Sequence, residues 1–296
     1  MLSEIRKWAE FVKISHTIFA LPFALAAMVV AARDTHGWPG WRKFGLILLA
    51  MVFARTCAMA FNRIADREFD RANPRTSMRH LPSGQISLSG AILLCILGAA
   101  GFVSASYFIN SLCFYLSPLA LVVICFYSLT KRFTDFTHFF LGFALALAPI
   151  GAWLAVKGTA ITAFELISAG VLAAAVICWL VGFDIIYALQ DYEFDRRHGL
   201  HSLVVRWGAD NALKFAFISH LIMWGLLTGF GWLSRFRVAY FVGLLIILVS
   251  LLLEHWLARR RSLNWINIAF FRLNGLISIV FLVVTVAEVL FPGFRR

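Results

Sequence analysis

Nine apolar stretches, most of them close to 20 residues long and parted by short polar breaks, leave this chain few folds to choose from. They fall at about 14–32, 44–62, 86–108, 111–130, 137–156, 164–190, 211–232, 237–258 and 268–290. A helix needs about 20 apolar residues to cross the hydrocarbon of a bilayer, and lipid tolerates only structures that satisfy their own backbone. The expected fold is therefore an all-α membrane protein with nine transmembrane helices, forming a single domain over 1–296. Charged residues make up only 14% of the chain, against about 25% in a soluble domain. The first run, Ile14 to Ala32, exceeds a signal-peptide core and many spans follow it, so it reads as a retained helix. The five cysteines all lie within apolar runs without Cys-x-x-Cys spacing, so they read as small buried hydrophobes.

The net charge of +12 belongs to loops and lipid headgroups. With no basic soluble domain in view, nucleic acid is excluded as a partner, and membrane lipid is expected. Most Lys and Arg fall in the amino terminus and after spans two, four, six and eight. The positive-inside rule puts those ends in the cytoplasm, at the inner membrane of the cell.

Against this background two acidic stretches stand out. Asn62, Asp66 and Asp70 follow span two, and Asp184, Asp191 and Asp195 close span six. Four-residue spacing places the members of each set on one helix face. Asp66-Arg67-Glu68-Phe69-Asp70-Arg71 and Asp191-Tyr192-Glu193-Phe194-Asp195-Arg196 match at five of six positions, 125 residues apart. Both end an even-numbered span and open a long Arg-rich loop. Two parallel four-helix repeats plus a ninth helix, around a central cavity, are the expected architecture.

Carboxylates one turn apart near membrane depth repel one another and are costly. One reading is that they are solvated and paired with nearby Arg. The other is Mg²⁺, held on Asn62, Asp66, Asp70, Asp191 and Asp195, with a diphosphate bridging the ions. Arg71, Arg79 and Lys131 are candidate phosphate ligands. Lys13 points toward the same cavity. Arg55, inside span two, is a functional candidate that could pair with Asp184 or with a substrate carboxylate. His16, His80, His198 and His201 are left out of the site. Glu165, Glu254 and Glu288 read as isolated interfacial residues.

At these residues the chain resembles the UbiA superfamily of intramembrane prenyltransferases. The resemblance spans essentially the whole chain. It includes Asn73-Pro74-Arg75-Thr76 through Arg79-His80-Leu81-Pro82-Ser83-Gly84, Tyr127 through Lys131-Arg132, and Asp184-x-x-Tyr187-Ala188-x-x-Asp191. Arg63 departs from the family, most members of which carry Asp there, and Asn-Arg resembles the 4-hydroxybenzoate polyprenyltransferase-like branch. The resemblance implies Mg-dependent transfer of a polyprenyl chain from a polyprenyl diphosphate to a small aromatic acid, in ubiquinone or menaquinone biosynthesis. It implies catalytic roles for Asp66, Asp191 and Arg55, with Asp191 or a neighbouring carboxylate as base, and cation-stabilising roles for Tyr127 and Tyr187. Other acceptors (dihydroxynaphthoate, haem, chlorophyllide) are alternatives within the class. A secondary transporter is the alternative outside it, but the acids cluster at one face and the opposite half of each span lacks polar residues.

Overall fold

A computed structural model describes residues 2–13, 17–259 and 268–291. The start of the first expected span, 14–16, and Arg260 and Arg261 lie outside them. All regular elements among the described residues are helical. They are α1 (Leu2–Phe11), α2 (Thr17–Ala31), α3 (Trp41–Ala65), α4 (Arg67–Ala72), α5 (Leu88–Ile109), α6 (Ser111–Phe126), α7 (Thr137–Lys157), α8 (Ala163–Ala188), α9 (Tyr192–Arg197), α10 (Leu203–Leu233), α11 (Val238–Ala258) and α12 (Asn274–Leu290). Among the described residues, eight helical segments are long and apolar enough to cross a membrane, and Phe19–Ala31 is a shorter apolar helix. The chain is an integral, multi-pass membrane protein.

The helices gather into two compact units. The first comprises 1–17 with 41–129. In it α3 packs on α5 and α6. Contact is close because Gly98 of α5 has no side chain, and a Cβ there would sit 2.7 Å from the backbone nitrogen of Cys57. Small residues let membrane helices approach in this way. The thiol of Cys57 lies 3.8 Å from that of Cys95 and 4.0 Å from that of Cys125, and all five cysteines are free. Phe11 and Val12 tie the amino-terminal segment to Ala60, Leu81, Ile86 and Ala91.

The second unit comprises 18–40 with 130–296. Its centre is α8, flanked by α7 and α10. The expected repeat and the packing units have different boundaries, because the first apolar helix belongs with the later helices. Phe23 of α2 lies 4.8 Å from Trp179 and stacks at 4.7 Å on Phe281, and Ala24, Ala26 and Ala27 are fully buried. Such side-chain partnerships across distant helices leave no trace in hydropathy.

Two acids expected at an interface lie instead in the interior. Glu254 is fully buried and accepts from Asn274 Nδ2 at 2.6 Å, while Asn274 Oδ1 accepts from Trp179 Nε1 at 2.6 Å. Glu288 accepts from the backbone N–H of Tyr240. Each acid is tolerated because a donor from another helix reaches it. Glu165 caps α8 through a reciprocal bond with Thr162 and pairs with Lys157. The seventh span also differs from expectation. Helix α10 begins at Leu203, with a non-helical break at Gly208 (φ 74°).

Replacing Gly98 by Val is expected to destabilise the protein by about 1–3 kcal/mol through overpacking against α3. Thermal unfolding in detergent measures it, and an unchanged Tm contradicts the close packing.

Candidate active site

The two acidic stretches fold as two copies of one local structure. Each long helix is followed by an aspartate in the bridge region of backbone space: Asp66, directly after α3, at φ −89°, ψ 8°, and Asp191, at the end of a 3₁₀ turn (Leu189–Asp191) after α8, at φ −104°, ψ 3°. A six-residue helix follows each, Arg67–Ala72 and Tyr192–Arg197. The expectation of a ladder on one continuous helix is thus corrected. Helical bonding still carries across the first break, where Asp66 N–H reaches Asn62 O at 2.9 Å and Asp70 N–H reaches Asp66 O at 2.8 Å.

In the first module Asp70 is buried, 6% exposed. Its Oδ1 accepts from Arg79 Nη1 at 2.6 Å. Its Oδ2 is enclosed without a hydrogen-bond donor, 3.9 Å from Arg63 Nη1. Arg63 itself is buried, so its long side chain is spent inside the module. Asp66 Oδ2 accepts from Asn62 Nδ2 at 3.0 Å, and Ser128 lies 3.4 Å from the same amide.

Lys13 belongs to this unit and holds a positive φ of 51°. Burial pushes its ammonium below the usual lysine range, and the charges of Arg63, Arg79 and Arg75 push in the same direction. Four cations crowding one another in this way favour a multivalent anion. Arg55 Nη2 donates to the carbonyl of Lys13 at 2.6 Å, fixing that backbone. Its Nε is buried without a hydrogen-bond partner. Tyr127, half-buried, opens a 3₁₀ turn that runs to Arg132. Arg71 does not join the cluster. It is 64% exposed and faces Glu68.

In the second module Asp191 and Asp195 are buried, 8% and 3% exposed. Lys131 Nζ stands 3.7 Å from Asp195 Oδ2. The carbonyl of Lys131 accepts from His201 N–H at 2.7 Å, which ties the 3₁₀ turn to the start of α10. Tyr187 is half-buried on α8. Asp184 pairs with His138 of α7, Nδ1 to Oδ2 at 2.6 Å. His138 went unread in the sequence because 46 residues separate it from its partner.

These modules suit a hard cation that accepts oxygen ligands. Asp70 offers an enclosed oxygen without a donor. Among the described residues no group of three or more His, Cys, Asp or Glu closes around a metal. Mg²⁺ is typically held by one or two carboxylates, with water and substrate phosphate completing its shell.

An all-helical membrane protein with twin carboxylate modules, each beside cations, belongs to a narrow class. Residues 20–276 match the UbiA prenyltransferase family, and the chain belongs to that family as a prenyltransferase. A 4-hydroxybenzoate octaprenyltransferase of Francisella tularensis subsp. tularensis is 29% identical over 272 residues, covering 91% of this chain and 90% of the relative. The apo structure of a UbiA homolog from Aeropyrum pernix K1 is similar with a TM-score of 0.81 and 30% identity, covering 90% of this chain and 95% of that one. A UbiA homolog from Archaeoglobus fulgidus, solved bound to GPP and Mg²⁺, has a TM-score of 0.72 at 24% identity, covering 96% and 99% of the two chains.

The lowered Lys13 value has a testable sign. Its charge, and the anion affinity it supplies, is lost as pH rises through a point below the ordinary 10.5. Inorganic diphosphate, titrated calorimetrically, should therefore weaken as pH climbs in that range. Lys13→Arg, which keeps its charge, should flatten the profile. The same weakening in both proteins contradicts a role for Lys13.

Proposed function

We propose that the protein transfers a polyprenyl chain from an allylic polyprenyl diphosphate to an aromatic acid, 4-hydroxybenzoate or a close relative, for respiratory quinone synthesis. The observation that carries this reading is the twin module, a buried aspartate in the short helix after a break, with a cation against it: Asp70 with Arg79, and Asp195 with Lys131. The names of the relatives support the acceptor, and the ligands of the Archaeoglobus homolog support the diphosphate and Mg²⁺. Charge asymmetry supports an active site on the cytoplasmic face of the inner membrane. The whole chain is read as one catalytic domain.

Asn62, Asp66 and Asp70 in one module, and Asp191 and Asp195 in the other, are the residues that hold Mg²⁺. When bound, the ion neutralises diphosphate charge and improves it as a leaving group. Lys13, Arg79 and Lys131 bind the remaining phosphate oxygens. Arg71, exposed near the same loop, takes the outermost charge. Arg55 meets the acceptor's carboxylate. Tyr127 and Tyr187 present aromatic faces to the allylic cation, and the apolar spans keep water from it.

Asp66→Ala and Asp191→Ala should each cut turnover by at least about 100-fold while leaving the protein inserted, since each removes a metal carboxylate. The assay uses labelled polyprenyl diphosphate, Mg²⁺ and a panel of 4-hydroxybenzoate, dihydroxynaphthoate, haem and chlorophyllide. Full activity in either variant overturns the metal assignment. A product with haem or chlorophyllide alone overturns the acceptor.

A further inference from the structure

We propose that Asp184 is the base that takes the proton from the acceptor ring, and that His138 is the positioning residue that holds it for this task. The inference rests on the aromatic acceptor proposed above.

The pair lies within the second unit, on two helices that pack together, α7 and α8. His138 is fully enclosed, at 0% exposure, whereas the Asp184 side chain keeps 20%. The open member of the pair is therefore the carboxylate, and the imidazole stands behind it. A carboxylate accepts only, so His138 Nδ1 carries the proton of the 2.6 Å bond to Oδ2. That bond holds the carboxylate and leaves Oδ1 as the oxygen His138 does not engage. The imidazole's other nitrogen, Nε2, is buried without a hydrogen-bond partner. A buried ring nitrogen left unpaired is costly and calls for a reason. Among the described residues the hydrogen bond the ring makes is the one to Asp184.

Position along the helix supports the assignment. Asp184 precedes Asp191 by seven residues, about 10 Å along a helix axis toward the middle of the span. The diphosphate sits at the Asp191–Asp195 end in the proposed reaction. The allylic carbon and the ring that attacks it lie deeper, toward the apolar part of α8. Asp191 and Asp195 carry metal duty in that reaction, which leaves Asp184 as the carboxylate on this face for proton transfer.

The step balances without a further reagent. The bond between the allylic carbon and the diphosphate oxygen breaks, and its electron pair leaves with diphosphate. The ring carbon supplies the pair that forms the new C–C bond. The ring proton passes to Asp184 Oδ1, and the C–H electrons restore the aromatic ring. Water takes the proton from Asp184 after product leaves.

The test uses the full-length protein in membranes with an acceptor deuterated at the ring positions beside its hydroxyl. Ionisation is followed separately, as scrambling of bridging ¹⁸O in the allylic diphosphate. In the wild type the ring deuterium should have no effect on rate. Asp184→Asn should lower transfer about 100-fold, the lower range for a lost general base. A normal primary ring-deuterium isotope effect should emerge while ¹⁸O scrambling continues. His138→Leu should lower transfer about 10-fold, as loss of an orienting partner does, with the same isotope effect. His138→Asn, which can keep the donor at the Nδ1 position, should restore most of the rate. Transfer and scrambling lost together, or no isotope effect in Asp184→Asn, overturns the base assignment. A His138→Leu protein that inserts and melts like the wild type yet transfers at full rate overturns the positioning role. A wild type that ionises the diphosphate but prenylates no aromatic acid overturns the acceptor reading and this assignment with it.

Discussion

A carboxylate at the end of a membrane helix has to be neutralised, and most of what is distinctive in this protein follows from how that is done. Asp70 and Asp195 are both buried, and both have a cation of the same unit beside them, Arg79 at 2.6 Å and Lys131 at 3.7 Å. Neither pair is a simple surface salt bridge. Burial removes the solvent that would otherwise screen such charges, so each interaction is stronger and each mismatch costlier. The enclosed Asp70 oxygen without a donor is one such mismatch. In the proposed reaction, a divalent cation held by this module would relieve it.

The break in each helix matters as much as the charge. Asp66 and Asp191 each precede a six-residue helix, and the last carboxylate of each set, Asp70 and Asp195, is buried within that short helix. Arg63 works in the same space. It lies buried against Asp70 where an acid would add to the negative charge, so the first module holds a built-in positive charge. Lys13 feels it together with Arg75 and Arg79.

Much of this was legible in the sequence. The apolar runs gave the helical class, and the matched hexapeptides at Asp66 and Asp191 marked the two buried aspartate modules, because covalent spacing and hydropathy are local properties. What was not legible depends on contacts between distant helices. Glu254 reads as an isolated acid until Asn274 is folded against it. His138 reads as an ordinary helix residue until α7 brings it within 2.6 Å of Asp184. Arg71 reads like Arg79 in sequence, yet one is exposed beside Glu68 and the other grips Asp70. The first apolar helix groups with the later spans because Phe23 finds Trp179 and Phe281. No periodicity encodes these choices.

In the proposed reaction the diphosphate is bound through Mg²⁺, so binding of substrate and of metal must be linked. The direct measurement is calorimetric titration of an unreactive polyprenyl thiodiphosphate into the purified protein, with Mg²⁺ and with chelator. Binding should require Mg²⁺, and Asp70→Asn and Asp195→Asn should each remove much of the Mg²⁺-dependent part. Equal affinity in chelator, or Mg²⁺ dependence untouched by both substitutions, would contradict the account.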